Sequence, residues 1–330
     1  VQDVLHYMTT SRQLAAHRRA FLTASGLAIG SLMPGCGRPW SEAQQQKPRS
    51  SKTLPSRIVD AHVHFYDAGR DDGLVRPEEK DKLFYRTARS EDFLKTAESS
   101  GVQGLILVQS SPLIEDNQSL LDFADKNPSV LGVVGNLPVG NLEFQGHLEL
   151  FAKNPLFRGI RIRDKELIDF SDISFVEDLR YVATLGLSTD ILAGPAMLPD
   201  IVTLVEKVPT LRIIINHCPF DISTDPFVRD AAERAMENLA TQPNVFAKVS
   251  KLVRKLSSEF QHATTYRSRL DHLWRTFGPN RLLYGSNWPM SDHIAPYSMA
   301  INIFKEYLAE LPAEQSEKFF WRNSRVAYDW

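Results

Sequence analysis

The pattern of hydrophobic positions after residue 57 alternates between two kinds of segment. Short runs rich in Val, Ile and Leu recur eight times, at Ile58–His64, Gly104–Ser110, Val130–Leu137, Arg158–Arg163, Leu187–Leu192, Leu211–His217, Val245–Val249 and Leu282–Ser286. Nearly continuous apolar runs of this length are typical of parallel strands that are covered on both faces. We therefore predict eight buried parallel strands.

The segments between these runs have the periodicity of amphipathic helices. Apolar residues recur at helical spacing in Ser90–Ser99, Asn117–Asn127 and Phe227–Thr241. Eight strand–helix repeats predict an α/β protein whose sheet closes into a (β/α)₈ barrel. The alternative is an open, doubly wound sheet. That fold usually carries a Gly-rich phosphate-binding turn after its first strand, and the sequence has none there.

The first 36 residues have the layout of an export signal. Arg18 and Arg19 precede a mildly apolar stretch over residues 24–33. A paired arginine before a weakly hydrophobic segment is typical of a bacterial twin-arginine signal. We therefore predict a periplasmic or exported protein. The alternative is an amphipathic first helix that contains both arginines.

Residues 37–56 separate this signal from the predicted barrel. They are rich in Gln, Ser, Pro and Lys, a composition that buries little apolar surface and predicts a flexible linker. Cys36 lies at the junction, where a lipid anchor is a minor alternative because the nearby Pro34 fits a lipoprotein signal poorly. Neither Cys36 nor Cys218 belongs to a CxxC pair, which argues against a structural zinc site or a disulfide framework.

Composition narrows the class of partner. Apolar residues make up 43% of the chain, charged residues 24%, and the formal net charge is −2. These values are ordinary for a globular protein and give no field that would attract nucleic acid. No segment of the mature part reaches the roughly 18 consecutive apolar residues that a membrane span needs. The expected partner is a small-molecule substrate, and the sequence indicates no oligomeric state.

Histidines close two of the predicted strands. His62 and His64 lie two residues apart at the end of the first strand, so both side chains point to the same face. His217 ends the sixth strand. Active sites of barrels lie at the carboxyl ends of the strands. We therefore predict that these three imidazoles share one site, although histidines can also occupy such positions for structural reasons.

Other strand ends supply candidates for substrate binding. Arg161 and Arg163 lie two apart on the fourth strand, where a guanidinium suits a carboxylate or a developing oxyanion. The alternative for each is an ion pair with Asp190 or Asp164. The remaining candidates follow the second, seventh and eighth strands: Gln109, Lys248, Asn287 and Trp288.

Several motifs, taken in order, resemble one known family. They read IVDAHVHFYD, GIRIRD, STDIL, NHCPFD, NVFAKVS and RLLYGSNWP, followed by KFFWRNSRVAYDW at the C-terminus. This arrangement resembles the amidohydrolase-related (amidohydrolase 2) family of TIM-barrel hydrolases. Within it, the chain is similar to the branch of sugar-acid lactonases and 2-pyrone-4,6-dicarboxylate lactonase. The resemblance covers about residues 57–330.

The resemblance implies a single-domain, distorted (β/α)₈ TIM barrel that hydrolyses a lactone or related cyclic ester of a small sugar acid or carboxylate. His62 and His64 match the family's first-strand pair, and His217 matches its sixth-strand histidine. Asn287 falls where many members have a catalytic aspartate. An amide cannot act as a comparable base, so Asp292 or a histidine is expected to accept the proton in its place.

The resemblance leaves the cofactor open. One divalent metal, zinc for example, could be held by His62, His64 and Asp190, because catalytic zinc needs about three protein ligands and a water. The dicarboxylate lactonase branch implies instead a site without metal. There, Arg161, Arg163, Lys248 and His217 would polarise the lactone carbonyl.

Two further functions stay open. The first is a metal-dependent reaction of another type within the same superfamily, namely C–N hydrolysis or decarboxylation. The second is a catalytically impaired barrel that binds a sugar acid without turnover, which the amide at Asn287 motivates. The lactone hydrolase is the favoured prediction.

Overall fold

The computed structural model of the chain describes residues 54–65, 90–163, 172–217, 225–253, 261–292 and 294–330. The predicted export signal, Cys36, Cys218 and most of the predicted linker lie outside the described residues. The described residues belong to one compact unit, Pro48–Trp330.

Eight parallel strands form one sheet in sequence order. They are β1 (Val59–Val63), β2 (Gly104–Val108), β3 (Val130–Gly135), β4 (Phe157–Arg163), β5 (Ser188–Leu192), β6 (Arg212–Ile215), β7 (Val245–Val249) and β8 (Leu282–Tyr284). The segment after β8 closes the sheet against β1, because Asn287 N donates to His62 O at 2.9 Å and His64 N to Trp288 O at 2.9 Å. The predicted (β/α)₈ barrel is confirmed.

The barrel is irregular on one side. The register shifts between β1 and β2, between β2 and β3, and between β3 and β4. The pairs from β4 to β8 keep a constant register. The distortion therefore extends from β1 to β4, a side of the barrel that includes the strand with the predicted histidine pair.

Helices follow the strands and cover the outside of the sheet. They are α1 (Ser90–Ser99), α2 (Asp116–Asp125), α3 (Phe144–Ala152), α4 (Ile173–Thr184), α5 (Leu198–Lys207), α6 (Pro226–Thr241), α7 (Ala263–Phe277), α8 (Tyr297–Leu308), α9 (Ala313–Glu317) and α10 (Asn323–Tyr328). A 3₁₀ turn, Pro195–Met197, precedes α5, and a π-helical turn, Lys318–Arg322, precedes α10. None of the helices within the described ranges is long and apolar enough to cross a membrane.

Local sequence explains where the longer helices begin. The Asp172 carboxylate accepts the Ser174 N–H at the start of α4. The Asp225 carboxylate caps α6 in the same way, and Pro226 occupies its first turn. Both are preferred N-terminal residues, because the carboxylate satisfies a free backbone donor and proline needs none.

Two apolar layers hold the fold together. The larger lies between the sheet and the helices. The smaller fills the barrel and joins Ala61, Ile106, Val108, Val134, Ile214, Phe246 and Leu283 to Ala327 and Tyr328 of α10. Arg212, at the start of β6, donates to Ala327 O at 3.3 Å. Helix α10 therefore covers the amino-terminal end of the barrel, and the carboxyl-terminal end, hereafter the mouth, carries the predicted site.

Candidate active site

Three histidines meet at the mouth. His62 Nε2 lies 3.2 Å from His64 Nε2, and the His62 and His217 ring centroids are 4.5 Å apart. His62 belongs to β1, and the other two follow the ends of β1 and β6. The structure thus brings together the three residues that the sequence singled out, and all three are buried.

A buried ion pair lies beside them. Lys248 Nζ is 2.5 Å from Asp190 Oδ2 and 3.1 Å from His62 Nδ1, and neither charged side chain is exposed. At the far end of the histidine pair, His64 Nδ1 lies 2.7 Å from the Val108 carbonyl. Lys248, His62, His64 and this carbonyl therefore form one chain of hydrogen bonds. An ammonium only donates and a carbonyl only accepts. The chain therefore has one consistent direction, in which His62 is protonated on Nε2 and His64 on Nδ1.

Burial keeps these imidazoles neutral. It is the largest cause that lowers the pKa of each of the three, and nearby cations add to it. The pKa of His64 falls to about 3, with Arg161 as the next contributor. Lys248 lowers the pKa of His62, and Lys251 lowers that of His217. Desolvation disfavours a charged imidazole, and a second positive charge beside it adds to that cost.

His217 is the histidine with an open nitrogen. Its Nδ1 lies 2.8 Å from Ser250 Oγ, and within the described residues no group hydrogen-bonds its Nε2. Its backbone is left-handed, with φ of 63°. Non-glycine residues rarely adopt this conformation, and when they do they cluster at functional sites. The turn after β6 therefore presents Nε2 to the mouth.

Asn287 also lies at the mouth, in the segment that follows β8. It too is left-handed, with φ of 61°, a conformation that asparagine tolerates better than most residues. Its side chain hydrogen-bonds His64, and its Nδ2 donates to Ser291 Oγ at 3.4 Å. The amide thus takes the position beside His64 that the family resemblance assigns to an aspartate.

The two arginines of β4 reach toward the end of β2. Arg161 donates to the Gln109 carbonyl at 3.4 Å, and Arg163 donates to the Ser110 carbonyl at 2.7 Å. Arg161 also lowers the pKa values of all three histidines. Its positive charge therefore acts on the site, while Arg163 lies nearer the edge and is partly exposed.

Gln109 shapes a turn. Its Nε2 donates to the Asp116 carbonyl, and its Oε1 accepts the Ser110 and Ser111 N–H groups, each at 2.8 Å. These bonds hold the segment between β2 and α2. A contact between this side chain and the substrate stays a prediction.

Trp288 and Asp292 follow Asn287 in the chain. Trp288 is buried, and its ring packs against Phe65 and Phe93 at centroid distances of 6.1 and 5.1 Å. It joins an aromatic cluster that supports the rim, and its contact with substrate stays a prediction. Asp292 is half-buried and its N–H donates to the Pro289 carbonyl at 3.1 Å. Its catalytic role stays a prediction.

The donor set does not suit a metal ion in this arrangement. Asp190 accepts from Lys248 on one oxygen and from the Tyr328 hydroxyl, at 2.8 Å, on the other. In the tautomer that the Lys248 ammonium favours, His62 carries its proton on Nε2, so this nitrogen has no lone pair for an ion beside His64 Nε2. Among the described residues, no group of three His, Cys, Asp or Glu side chains could hold a metal. The tentative trio with Asp190 is therefore not assembled.

Sequence reasoning missed Asp60. Its buried carboxylate accepts the His62 and Ser286 N–H groups, at 3.1 and 2.9 Å, and the Tyr297 hydroxyl at 3.0 Å. Burial raises its pKa to about 6. Asp60 thus ties β1 to the segment after β8 and fixes the backbone of His62. Its place two residues before His62 was the available signal.

Two further contacts were also missed. Ser250 lies two residues after Lys248, so the period of the strand could have indicated it. Tyr328 gave no local signal, because 138 residues separate it from Asp190. Its contact becomes visible only once α10 is placed under the barrel.

A (β/α)₈ barrel with histidines from its first and sixth strands gathered at the mouth defines a class of barrel hydrolases. The Amidohydrolase family profile matches residues 59–330. The chain therefore belongs to the Amidohydrolase family and is a hydrolase.

One relative is similar to this chain in sequence, and two solved structures are similar to it in fold. An L-fucono-1,5-lactonase of Burkholderia ambifaria is 32% identical over 245 residues, which cover 71% of this chain and 80% of the relative. An amidohydrolase of Burkholderia multivorans with bound zinc superimposes with a TM-score of 0.72 at 18% identity, covering 83% of this chain and 99% of the other. A probable 2-pyrone-4,6-dicarboxylic acid hydrolase of Acinetobacter baumannii with citric acid bound gives 0.67 at 17% identity, covering 83% and 100%.

Proposed function

We propose that the protein hydrolyses a lactone or related cyclic ester of a small sugar acid. The observation that carries this proposal is the convergence of three neutral histidines beside buried cations at one mouth. The similarity to a relative named as an L-fucono-1,5-lactonase supports it. The chemistry that such a site favours is attack of water on a carbonyl whose oxygen becomes negative.

The charges suit an anionic transition state. Arg161, Lys248 and Lys251 all lie close enough to lower the pKa of His217, and Asp190 is the carboxylate paired with Lys248. A surplus of positive charge in a buried site stabilises an oxyanion more strongly than it would in water. It also favours substrates that carry a carboxylate or many hydroxyl oxygens.

The hydrogen bonds of the three histidines support the following proton transfers. The His62 Nε2–H donates to the carbonyl oxygen, which replaces His64 as its acceptor. The open His217 Nε2 accepts a proton from water as the water oxygen bonds to the carbonyl carbon. The negative charge that develops on the carbonyl oxygen at the same moment offsets the cost that burial and the nearby cations place on a charged His217. His217 then returns that proton to the ring oxygen as the ester bond breaks. In this scheme His217 carries its other proton on Nδ1, Ser250 Oγ accepts it at 2.8 Å, and Nε2 faces the substrate.

The test follows proton release by the full chain on a panel of five- and six-membered aldonolactones and aromatic lactones. Wild-type protein should turn over at least one of them, and His217→Asn should lose about 10²- to 10⁴-fold in kcat, the usual contribution of a general base. Asn287→Asp provides the comparison. If only that variant were active, the protein would be a binding barrel that lacks a base, and the proposal would fail.

We also propose that the protein is exported by a twin-arginine route. The Arg18–Arg19 pair and the weakly apolar residues 24–33 support this. Residues 1–56 should carry a folded reporter to the periplasm, and the Arg18→Lys/Arg19→Lys double variant should retain it in the cytoplasm. Export of both fusions alike would contradict the proposal.

A further inference from the structure

Helix α10 contacts the hydrogen-bond chain of Lys248, His62 and His64 from the amino-terminal end of the barrel. The Tyr328 hydroxyl donates to Asp190 Oδ1 at 2.8 Å, and the Lys248 ammonium lies 5.2 Å from the centroid of the Tyr328 ring. Tyr328, Asp190 and Lys248 are buried in the barrel interior. The phenol therefore contacts both members of the ion pair, one by a hydrogen bond and one through its ring face.

The contacts form one continuous path through the barrel. Tyr328 donates to Asp190, and Lys248 donates to Asp190 and to His62 Nδ1. His62 Nε2 then donates to His64. An ammonium can only donate to His62 Nδ1, so the position of the Lys248 ammonium decides which His62 nitrogen carries the proton.

We propose that Tyr328 is a positioning residue that, through Asp190 and Lys248, holds His62 in the tautomer protonated on Nε2. The catalytic consequence rests on the proposed function, in which that proton binds the substrate carbonyl. Without the hydroxyl, Asp190 Oδ1 loses the one hydrogen bond that the described residues give it. The unsatisfied Oδ1 then attracts the ammonium toward itself, and this shift lengthens the bond from Lys248 to His62 Nδ1.

The test compares two tyrosine variants of the full chain. Tyr328→Phe removes the hydroxyl and keeps the ring. Tyr307→Phe is the matched control, because Tyr307 of α8 is also buried and its hydroxyl also donates to a carboxylate, Asp271 Oδ1, at 2.8 Å. Its effect on folding should be similar, and the described contacts of Tyr307 do not include the histidines.

The direct readout is the ¹⁵N NMR spectrum of histidine-labelled protein, with the His62 signals identified by their loss in His62→Gln. Tyr328→Phe should give a mixture of the two His62 tautomers, and Tyr307→Phe should retain the Nε2–H form. On a lactone that wild type hydrolyses, Tyr328→Phe should lower kcat about tenfold, roughly the value of one hydrogen bond to a charged group, with KM unchanged.

His62 signals in Tyr328→Phe that match the wild type would overturn the proposal. The two hypotheses fail separately. If wild-type protein hydrolysed none of the lactones, the proposed function would fall, while the NMR comparison would still decide the role of Tyr328.

Discussion

The two ends of the barrel differ in what they bury. The amino-terminal end is closed by α10, whose Ala327 and Tyr328 pack against the apolar residues that fill the barrel. The mouth buries three histidines and holds His217 and Asn287 in left-handed conformations. Strained residues and buried polar groups cost stability. A site of this kind persists because the rest of the barrel, including its closed end, is well packed.

The Lys248–Asp190 pair joins the two ends. It lies between the His62 imidazole and the Tyr328 phenol, so it belongs both to the site and to the core. Variants at the mouth should therefore affect turnover more than folding, and variants of this pair should affect both.

The largest expected effect on turnover is at the mouth. His62→Ala removes the proposed carbonyl donor and should lower kcat by about 10³-fold, as the loss of an oxyanion donor usually does. The barrel should stay folded, which circular dichroism and a cooperative thermal transition would check. Turnover that survives this substitution would contradict the assignment of the mouth.

Lys248→Met should lower both stability and turnover. It leaves Asp190 buried without its cation, which typically costs about 3–5 kcal/mol. Adding Asp190→Asn removes the unpaired charge and keeps an acceptor for Tyr328, so the double variant should regain most of the stability and none of the activity. Urea unfolding and proton release measure the two effects separately. Recovery of both together would show that the pair has no catalytic role.

Acidification should lower the unfolding free energy through the histidines by more than it raises it through Asp60. His64 has a folded pKa of about 3, below its unfolded value, so the unfolded chain gains a proton first and stability falls as pH drops below about 6.5. At pH 5 this costs about 2 kcal/mol relative to pH 7. The lowered pKa values of His62 and His217 act in the same direction.

Asp60 changes the unfolding free energy in the opposite direction as the pH falls. Its folded pKa of about 6 lies above the unfolded value, so protonation below pH 6 returns about 1 kcal/mol by pH 5. The unfolding free energy from urea titrations should therefore decrease between pH 7 and pH 5. An increase over that range would show that the histidines are charged in the folded protein.

The smallest effect is expected at an exposed side chain on the surface, outside the histidine site. Leu142 precedes α3 and is fully exposed. Leu142→Ser should change the unfolding free energy by less than about 0.5 kcal/mol and leave kcat unchanged. A larger loss of stability would indicate that this surface is covered by a partner.

The sequence predicted the framework well because strand and helix periodicities are local. All eight strands lie where the apolar runs placed them, although β1, β2, β3, β6 and β8 end before the predicted residues. At those ends the polar residues, such as His217, turn out of the sheet. Hydrophobic runs do not mark such turns, since side-chain bonds and left-handed backbone form them.

The histidine triad was also predictable, since strand ends of a barrel converge. The hydrogen-bond chain was not. Whether Asp190 binds a metal or an ammonium depends on β7 and α10, which lie far from it in sequence. Similarly, Trp288 packs into the aromatic cluster because α1 supplies Phe93, a contact that no local pattern near residue 288 indicates.

The most direct test of the central claim is proton release from a six-membered aldonolactone by the full chain after exhaustive chelation. Neutral histidines and buried cations suffice in this account, so turnover should persist at its original rate and disappear in His62→Ala. Two results would contradict this account. One is loss of activity on chelation with recovery on added zinc, and the other is no turnover before chelation.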